Sequence, residues 1–264
     1  MLQYSFMRNA LMAGLMVSIL CPMIGMFVVL KRYSMLGDTL SHTSLAGLAL
    51  GLVFGFNPLI SAFIFTSLCG LVIESLRNNY KKYEELIMVI ILTLGLGIGI
   101  TLISSGLANA NINSYLFGSI LTVTIKEIYT IFILSIVSII TLLILYNKLI
   151  YITFDEEGAK ITGIKVKLIN YIFMFLVGAT ISVSLKIMGM LVISSMITVP
   201  VATAMQLNKS FKKTLLFSIL FGMIDTLGGL ILSVYLDAAS GGLIAITSVS
   251  VLLIVLIYKK VTNI

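Results

Sequence analysis

The sequence predicts an all-α fold, a polytopic transmembrane helical bundle of about eight to nine spans, and three observations carry that expectation. Of 264 residues 59% are hydrophobic and only 10% charged, far below the roughly 25% charged content of a soluble domain. Mean hydropathy is +1.16. Apolar stretches of about 20 residues, each long enough to cross a bilayer as a helix, recur from end to end and leave no interval for a soluble domain of useful size. Residues 1–264 therefore read as a single transmembrane domain.

Nine candidate spans follow in order: about 10 to 30, 36 to 56, 58 to 76, 85 to 104, 127 to 147, 168 to 186, 188 to 206, 213 to 235 and 241 to 258. The first contains Cys21 and Pro22 and leads into Lys31-Arg32 without a small-residue cleavage site, so it reads as a retained span rather than a signal peptide. Cys21 and Cys69 both lie in apolar runs and form no CxxC pair, which suits small hydrophobes better than ligands. With a cytoplasmic C-terminus, 14 of the 17 basic residues fall on the inside, and only Arg8, Lys126 and Lys186 remain outside. The positive-inside rule then fixes the orientation and accounts for the net charge of +7 without nucleic acid.

The second span carries the most informative stretch, Leu36-Gly-Asp-Thr-Leu-Ser-His-Thr-Ser-Leu-Ala-Gly-Leu-Ala-Leu-Gly51. Asp38 and His42, the only histidine, are four residues apart and share a helix face. A carboxylate and an imidazole one turn apart supply half of a divalent-cation site of the kind zinc accepts. The competing explanation is a histidine held by the hydroxyl of Ser41 or Thr43, with Asp38 capping a helix start. Ionisable groups at membrane depth are costly, which favours a functional site.

Glycines 95, 97 and 99 lie mid-span without a preceding strand, so they suit close helix packing rather than a nucleotide loop. Residues 105 to 126 form the longest external connection, with Asn109, Asn111 and Asn113 followed by an apolar Tyr115-Leu-Phe-Gly-Ser-Ile-Leu that can dip back into the membrane. On the cytoplasmic side, 147 to 168 contains Asp155-Glu156-Glu157-Gly158-Ala159, a capped helix start, with Gly163 available as its stop. Such a short helix suits a docking element or an ordinary solvated loop. The span from Met188 contains Pro200, where an interruption is expected, and its methionines suit packing. Asp225 sits mid-span and is either a second path residue or half of a structural hydrogen bond.

No HExxH, nucleophile elbow, Walker-type loop or second histidine is present, so hydrolase chemistry is absent and any ATPase must be another chain. A two-fold pair of chains would bring two Asp38 and two His42 together as four ligands.

Four segments in order resemble the membrane permease subunits of bacterial ABC importers for zinc and manganese. Leu36 to Gly47 resembles the family's early GD-x-L-x-H-x-x-L-x-G signature, and Tyr115-Leu-Phe-Gly resembles its mid-chain YLFG segment. Gly189 to Ala204 is similar to its G-x-LLV-x-ALL-x-x-PAATA span, and Ser233 to Gly241 to its SY-x-x-D-x-PSG segment, with Ala239 where proline is common. The resemblance implies a non-enzymatic transport subunit of the cell inner membrane, with no tightly bound cofactor. It implies a homodimer surrounded by lipid, two cytoplasmic ATP-binding subunits and an extracytoplasmic metal-binding protein. It places Asp38 and His42 on the metal path and makes Asp155, Glu156, Glu157, Gly158, Ala159 and Gly163 the region coupling to the ATPase; Asp225 matches no signature residue.

Thr39 and Ser44 give the early signature its resemblance to the zinc branch, and an Asp2His2 set suits tetrahedral zinc, whereas manganese takes more oxygen ligands. Zinc is the expected cargo, with manganese or iron as alternatives. The other classes compatible with the residues are an ion-coupled carrier using Asp38 and Asp225, and a scaffold without transport; no convincing internal repeat supports the carrier.

Overall fold

The computed structural model describes residues 5–33, 35–106, 112–118 and 125–262. Among these lie eleven α-helices: α1 (Ser5–Leu30), α2 (Leu36–Val53), α3 (Pro58–Asn79), α4 (Glu84–Ser104), α5 (Asn113–Leu116), α6 (Ile125–Phe154), α7 (Glu156–Ile161), α8 (Val166–Met188), α9 (Ile193–Met205), α10 (Phe211–Leu236) and α11 (Ser240–Thr262). Asn109, Asn111 and residues 119 to 121, part of the expected external connection and membrane dip, lie outside the described residues.

Seven helices are long and apolar enough to cross a membrane. The two remaining expected spans differ from that pattern. α2 carries Asp38, His42 and several hydroxyls, which keep it out of the seven. The expected span over 188 to 206 is not one crossing: the backbone leaves the helix between α8 and α9, and α9 has 13 residues, about 20 Å of helix against a hydrocarbon core of about 30 Å. The break lies at Gly189, with φ +75°, rather than at buried Pro200, which α9 accommodates within a continuous helix.

The chain divides into two compact units. The first comprises Met1–Val29, Asn111–Ile133 and Ser184–Ile264. Here the non-helical backbone after α8 is satisfied by protein, as hydrocarbon demands. Met190 N–H donates to Tyr115 O at 2.9 Å, Gly241 N–H to Phe117 O at 3.2 Å, and Ser240 Oγ to Ile187 O at 2.9 Å. A Cβ on Gly189 would run into the backbone at Gly118, and one on Gly241 into Met188 O, so these close approaches require glycine. Lys186 pairs with Glu127 at 3.2 Å and lies over the Tyr115 ring. Ala239, where the resembled pattern has proline, still starts α11 by accepting from Leu243 N–H. Met188, Met190 and Met196 are buried as packing residues, and Cys21 is buried with its Sγ 3.3 Å from Ser184 Oγ.

The second unit comprises Leu30–Ala110 and Leu134–Val183. α2 packs on α3 and on α4. Asn57 starts α3 by accepting from the Leu59 and Ile60 amides, with Pro58 at the first helical position, where its missing N–H costs nothing. Gly47 and Gly51 of α2 receive α3 at Ala62 and Ser61, while Gly95 and Gly99 of α4 receive Thr43 and Leu45 of α2. Small residues thus set how closely the helices approach. Gly97 faces open space, so the three mid-span glycines do not share one task.

A Cβ at position 95 would lie 2.6 Å from Thr43 Cγ2 and 2.8 Å from Thr43 Cα. Gly95→Ala is expected to destabilise the protein by about 1–3 kcal/mol, the usual scale of overpacking. Gly97→Ala should be neutral or slightly stabilising; thermal unfolding of both variants in detergent distinguishes them.

Candidate functional site

α2 is sealed on almost every side. Between residues 36 and 49 every position is buried except Asp38 and His42, whose side chains are 49% and 21% exposed. His42 Nε2 stands 3.5 Å from Asp38 Oδ1, so the i, i+4 pair expected from spacing is formed. The alternative explanations for these residues fail on geometry. Ser41 Oγ donates to Gly37 O at 2.6 Å, Thr43 Oγ donates to Leu40 O at 3.0 Å, and neither hydroxyl holds the imidazole. His42 Nδ1 has no partner. Asp38 is no cap either, since the residue before α2 is Met35 and no side chain caps the helix.

The pair offers one oxygen and one nitrogen donor type on an otherwise apolar helix. Among the described residues no group of three metal-ligating side chains forms. One chain thus offers two donor side chains here, fewer than the four ligands that a tetrahedral divalent cation takes.

The α7 segment is built as its residues dictate. Asp155 accepts from Gly158 N–H at 2.8 Å, and Lys160 pairs with Glu156 at 2.8 Å and Glu157 at 3.0 Å. Gly163, at φ +81°, ends it: its N–H reaches Lys160 O and the Ile164 N–H reaches Ala159 O, a Schellman closure. Ala159 is buried, whereas Ile161 is 87% exposed at the tip. Burial works to raise the Glu156 carboxyl, but Lys160, Lys81 and Lys31 together hold it below the usual carboxylate range.

A polar network beneath α2 was not anticipated from the sequence. Arg77 of α3 pairs with Glu84 at 2.8 Å and Glu74 at 3.4 Å, and its guanidinium lies 3.9 Å from the Tyr33 ring centroid. Lys31 Nζ donates to Asn170 Oδ1 of α8 at 2.7 Å. Burial pushes the Lys31 ammonium down to about 8, against the opposing pull of Glu74 and Glu156. The i, i+3 spacing of Glu74 and Arg77 was the available signal, but it does not reveal a partner on α4 or a ring from the α1–α2 connection.

Asp225 belongs to the first unit, and Asp38 and His42 to the second. Asp225 is fully buried on α10, and both its oxygens lack a hydrogen-bond partner. Ser248 of α11 is the side chain that acts on it, yet Ser248 Oγ is likewise without a partner in hydrogen-bonding geometry. Ser248 is thus the neighbour placed to form the structural hydrogen bond offered as one explanation of Asp225.

Comparison with known proteins places this geometry in context. The model of the ABC 3 transport family matches residues 3–259. A probable metal transport system membrane protein of Treponema pallidum is 47% identical over 261 residues, covering 99% of this chain and 98% of the relative. The high-affinity zinc uptake system membrane protein ZnuB of Haemophilus influenzae is 31% identical, covering 97% and 98% respectively. Relatives named for iron and for manganese transport match along most of the chain as well. Among solved structures, a chain of PsaBC from Streptococcus pneumoniae in complex with Fab superposes with a TM-score of 0.86 at 27% identity, covering 98% of this chain and 96% of that one.

Asp225 yields a test. A buried carboxyl without a partner gains little from its polarity, and apolar replacement of such a group is near neutral or stabilising. If the carboxyl has no partner, Asp225→Leu should leave stability, read by thermal unfolding in detergent, within about 1 kcal/mol of the parent or higher. A clear drop in the midpoint would show that Asp225 is hydrogen-bonded after all.

Proposed function

The chain belongs to the ABC 3 transport family as a multi-pass metal-transport permease, and we propose that it carries zinc across the bacterial cytoplasmic membrane along a path through Asp38 and His42. The observation that carries this reading is the open stripe on α2: one carboxylate and one imidazole left uncovered on a helix buried everywhere else between residues 36 and 49. A sealed helix with a single polar window costs stability, which a transport path explains.

The zinc reading rests on chemistry and on the early signature. Two copies of the chain would contribute two Asp38 and two His42, an oxygen and nitrogen set suited to tetrahedral zinc. Manganese and iron are the alternatives, because relatives named for all three metals match this chain. Two cytoplasmic ATP-binding subunits drive the cycle on separate chains, and an extracytoplasmic metal-binding protein delivers the ion. The C-terminus faces the cytoplasm, in keeping with the side on which 14 of 17 basic residues fall.

The mechanism is alternating access. The ion enters between two permease copies and is held by both Asp38 and His42 pairs. ATP-driven movement reaches the permease through α7, with its exposed Ile161 as the docking tip. Separation of the two pairs then divides one four-ligand site into two weak half-sites, so the same movement that opens the inner face lowers affinity for the ion.

Asp38→Asn and His42→Ala are expected to lower zinc uptake by the reconstituted complex by about tenfold or more each, the effect of about 1.4 kcal/mol or more on a transport barrier. Assembly should be intact, because both variants remove ligands rather than packing volume. Uptake of zinc in competition with manganese and iron tests the metal, and near-normal uptake by both variants would sink the site. For α7, Asp155→Ala removes a cap worth about 1 kcal/mol. Faster hydrogen exchange at α7 amides and weaker ATPase association should follow; unchanged association would place docking elsewhere.

A further inference from the structure

Resting on the reading of the chain as a metal permease driven through α7, we propose that Lys31 and Tyr33 are positioning residues that relay movement of α7 to the Asp38/His42 helix, with Arg77 as their anchor. Tyr33 stands five residues before Asp38. Its carbonyl accepts from Leu36 N–H at 3.1 Å, and Met35 O accepts from Thr39 N–H at 2.9 Å, so this connection and the first turn of α2 are bonded as one piece. The Tyr33 ring is held against the Arg77 guanidinium, which Glu74 of α3 and Glu84 of α4 fix from two helices. Lys31 is tied to Asn170 in the early turns of α8, and α8 is joined directly to α7, since Ile164 N–H reaches Ala159 O of α7 and Val166 N–H, at the start of α8, reaches Ile164 O.

The three roles differ physically. Arg77 and Glu74 are largely buried, and a buried charge that loses its partner is strongly penalised, so their arrangement resists gradual deformation. The Lys31–Asn170 hydrogen bond carries a shift of α7 and the start of α8 to the connection, and the charge of Glu156 on α7 adds an attraction for the Lys31 ammonium. Lys31 therefore senses α7 at one end, while the connection that contains it starts the metal-bearing helix at the other.

The test uses the full complex of permease, ATPase and metal-binding protein in proteoliposomes, with zinc uptake and phosphate release measured on the same vesicles. Lys31→Gln shortens the side chain that reaches Asn170 and loses the charge, while Lys31→Arg keeps reach, donor and charge. Lys31→Gln should lower zinc moved per ATP hydrolysed by about five- to tenfold, an ordinary coupling strength, with hydrolysis changed by less than about twofold. Lys31→Arg should restore the ratio. Tyr33→Leu should uncouple in the same way and Tyr33→Phe should not, so a failure of the lysine variant to assemble leaves the test standing. An unchanged ratio in Lys31→Gln and Tyr33→Leu, or a proportional loss of uptake and hydrolysis, would overturn the relay. An unaltered complex that hydrolyses ATP and moves no zinc, manganese or iron would overturn the permease reading itself, and the relay with it.

Discussion

A helix that carries an aspartate and a histidine stays in an apolar bundle only if its other faces are closed by packing tight enough to exclude water and lipid. α2 meets that constraint with small residues. Gly47 and Gly51 admit α3, and Thr43 and Leu45 are admitted by glycines of α4, so the helix is sealed by backbone approach rather than by bulky side chains. Ser41, Thr43 and Ser44 spend their hydroxyls on carbonyls one turn back and Thr39 donates to Met88 O of α4, which removes them as competitors for the imidazole. What remains uncovered is Asp38 and His42, and the openness of the site is a consequence of how completely the rest is closed.

The same economy governs the first unit, where the backbone leaves the helix after Met188. An unsatisfied amide in hydrocarbon costs several kcal/mol. The chain avoids that cost by bringing three sequence-distant segments together, so that carbonyls at 115 and 117 receive amides from 190 and 241. Three of the four segments that carry the family resemblance meet at this junction. Their glycines are there because backbone meets backbone, which explains a signature that has no chemistry of its own.

Charge placement divides the molecule's polar groups by task. Arg77, Glu74, Glu84 and Lys31 form a packed and mutually compensating network, whereas Asp155, Glu156, Glu157 and Lys160 build a short, capped and exposed helix. Asp225 fits neither pattern, being fully buried and outside the ion pairs of the described residues. The network is more informative than an isolated charge, because it ties α3, α4 and α8 to the connection that starts α2.

Composition alone determined that the chain is a helical membrane protein, because 59% hydrophobic residues in repeated runs admit no other way to satisfy the backbone. Local spacing determined the Asp38–His42 pair and the boundaries of α7, since i, i+4 adjacency, an aspartate cap and a glycine stop depend on residues within one or two turns of each other. Tertiary structure alone decided the rest, for the same reason in reverse. The break at Gly189 instead of Pro200 depends on carbonyls some seventy residues away, and the partners of Arg77 depend on which helices α3 lies against. The burial that leaves Asp38 and His42 as the one window between residues 36 and 49 also depends on Gly95 and Gly99 of α4, and no pattern within α2 reveals where they stand.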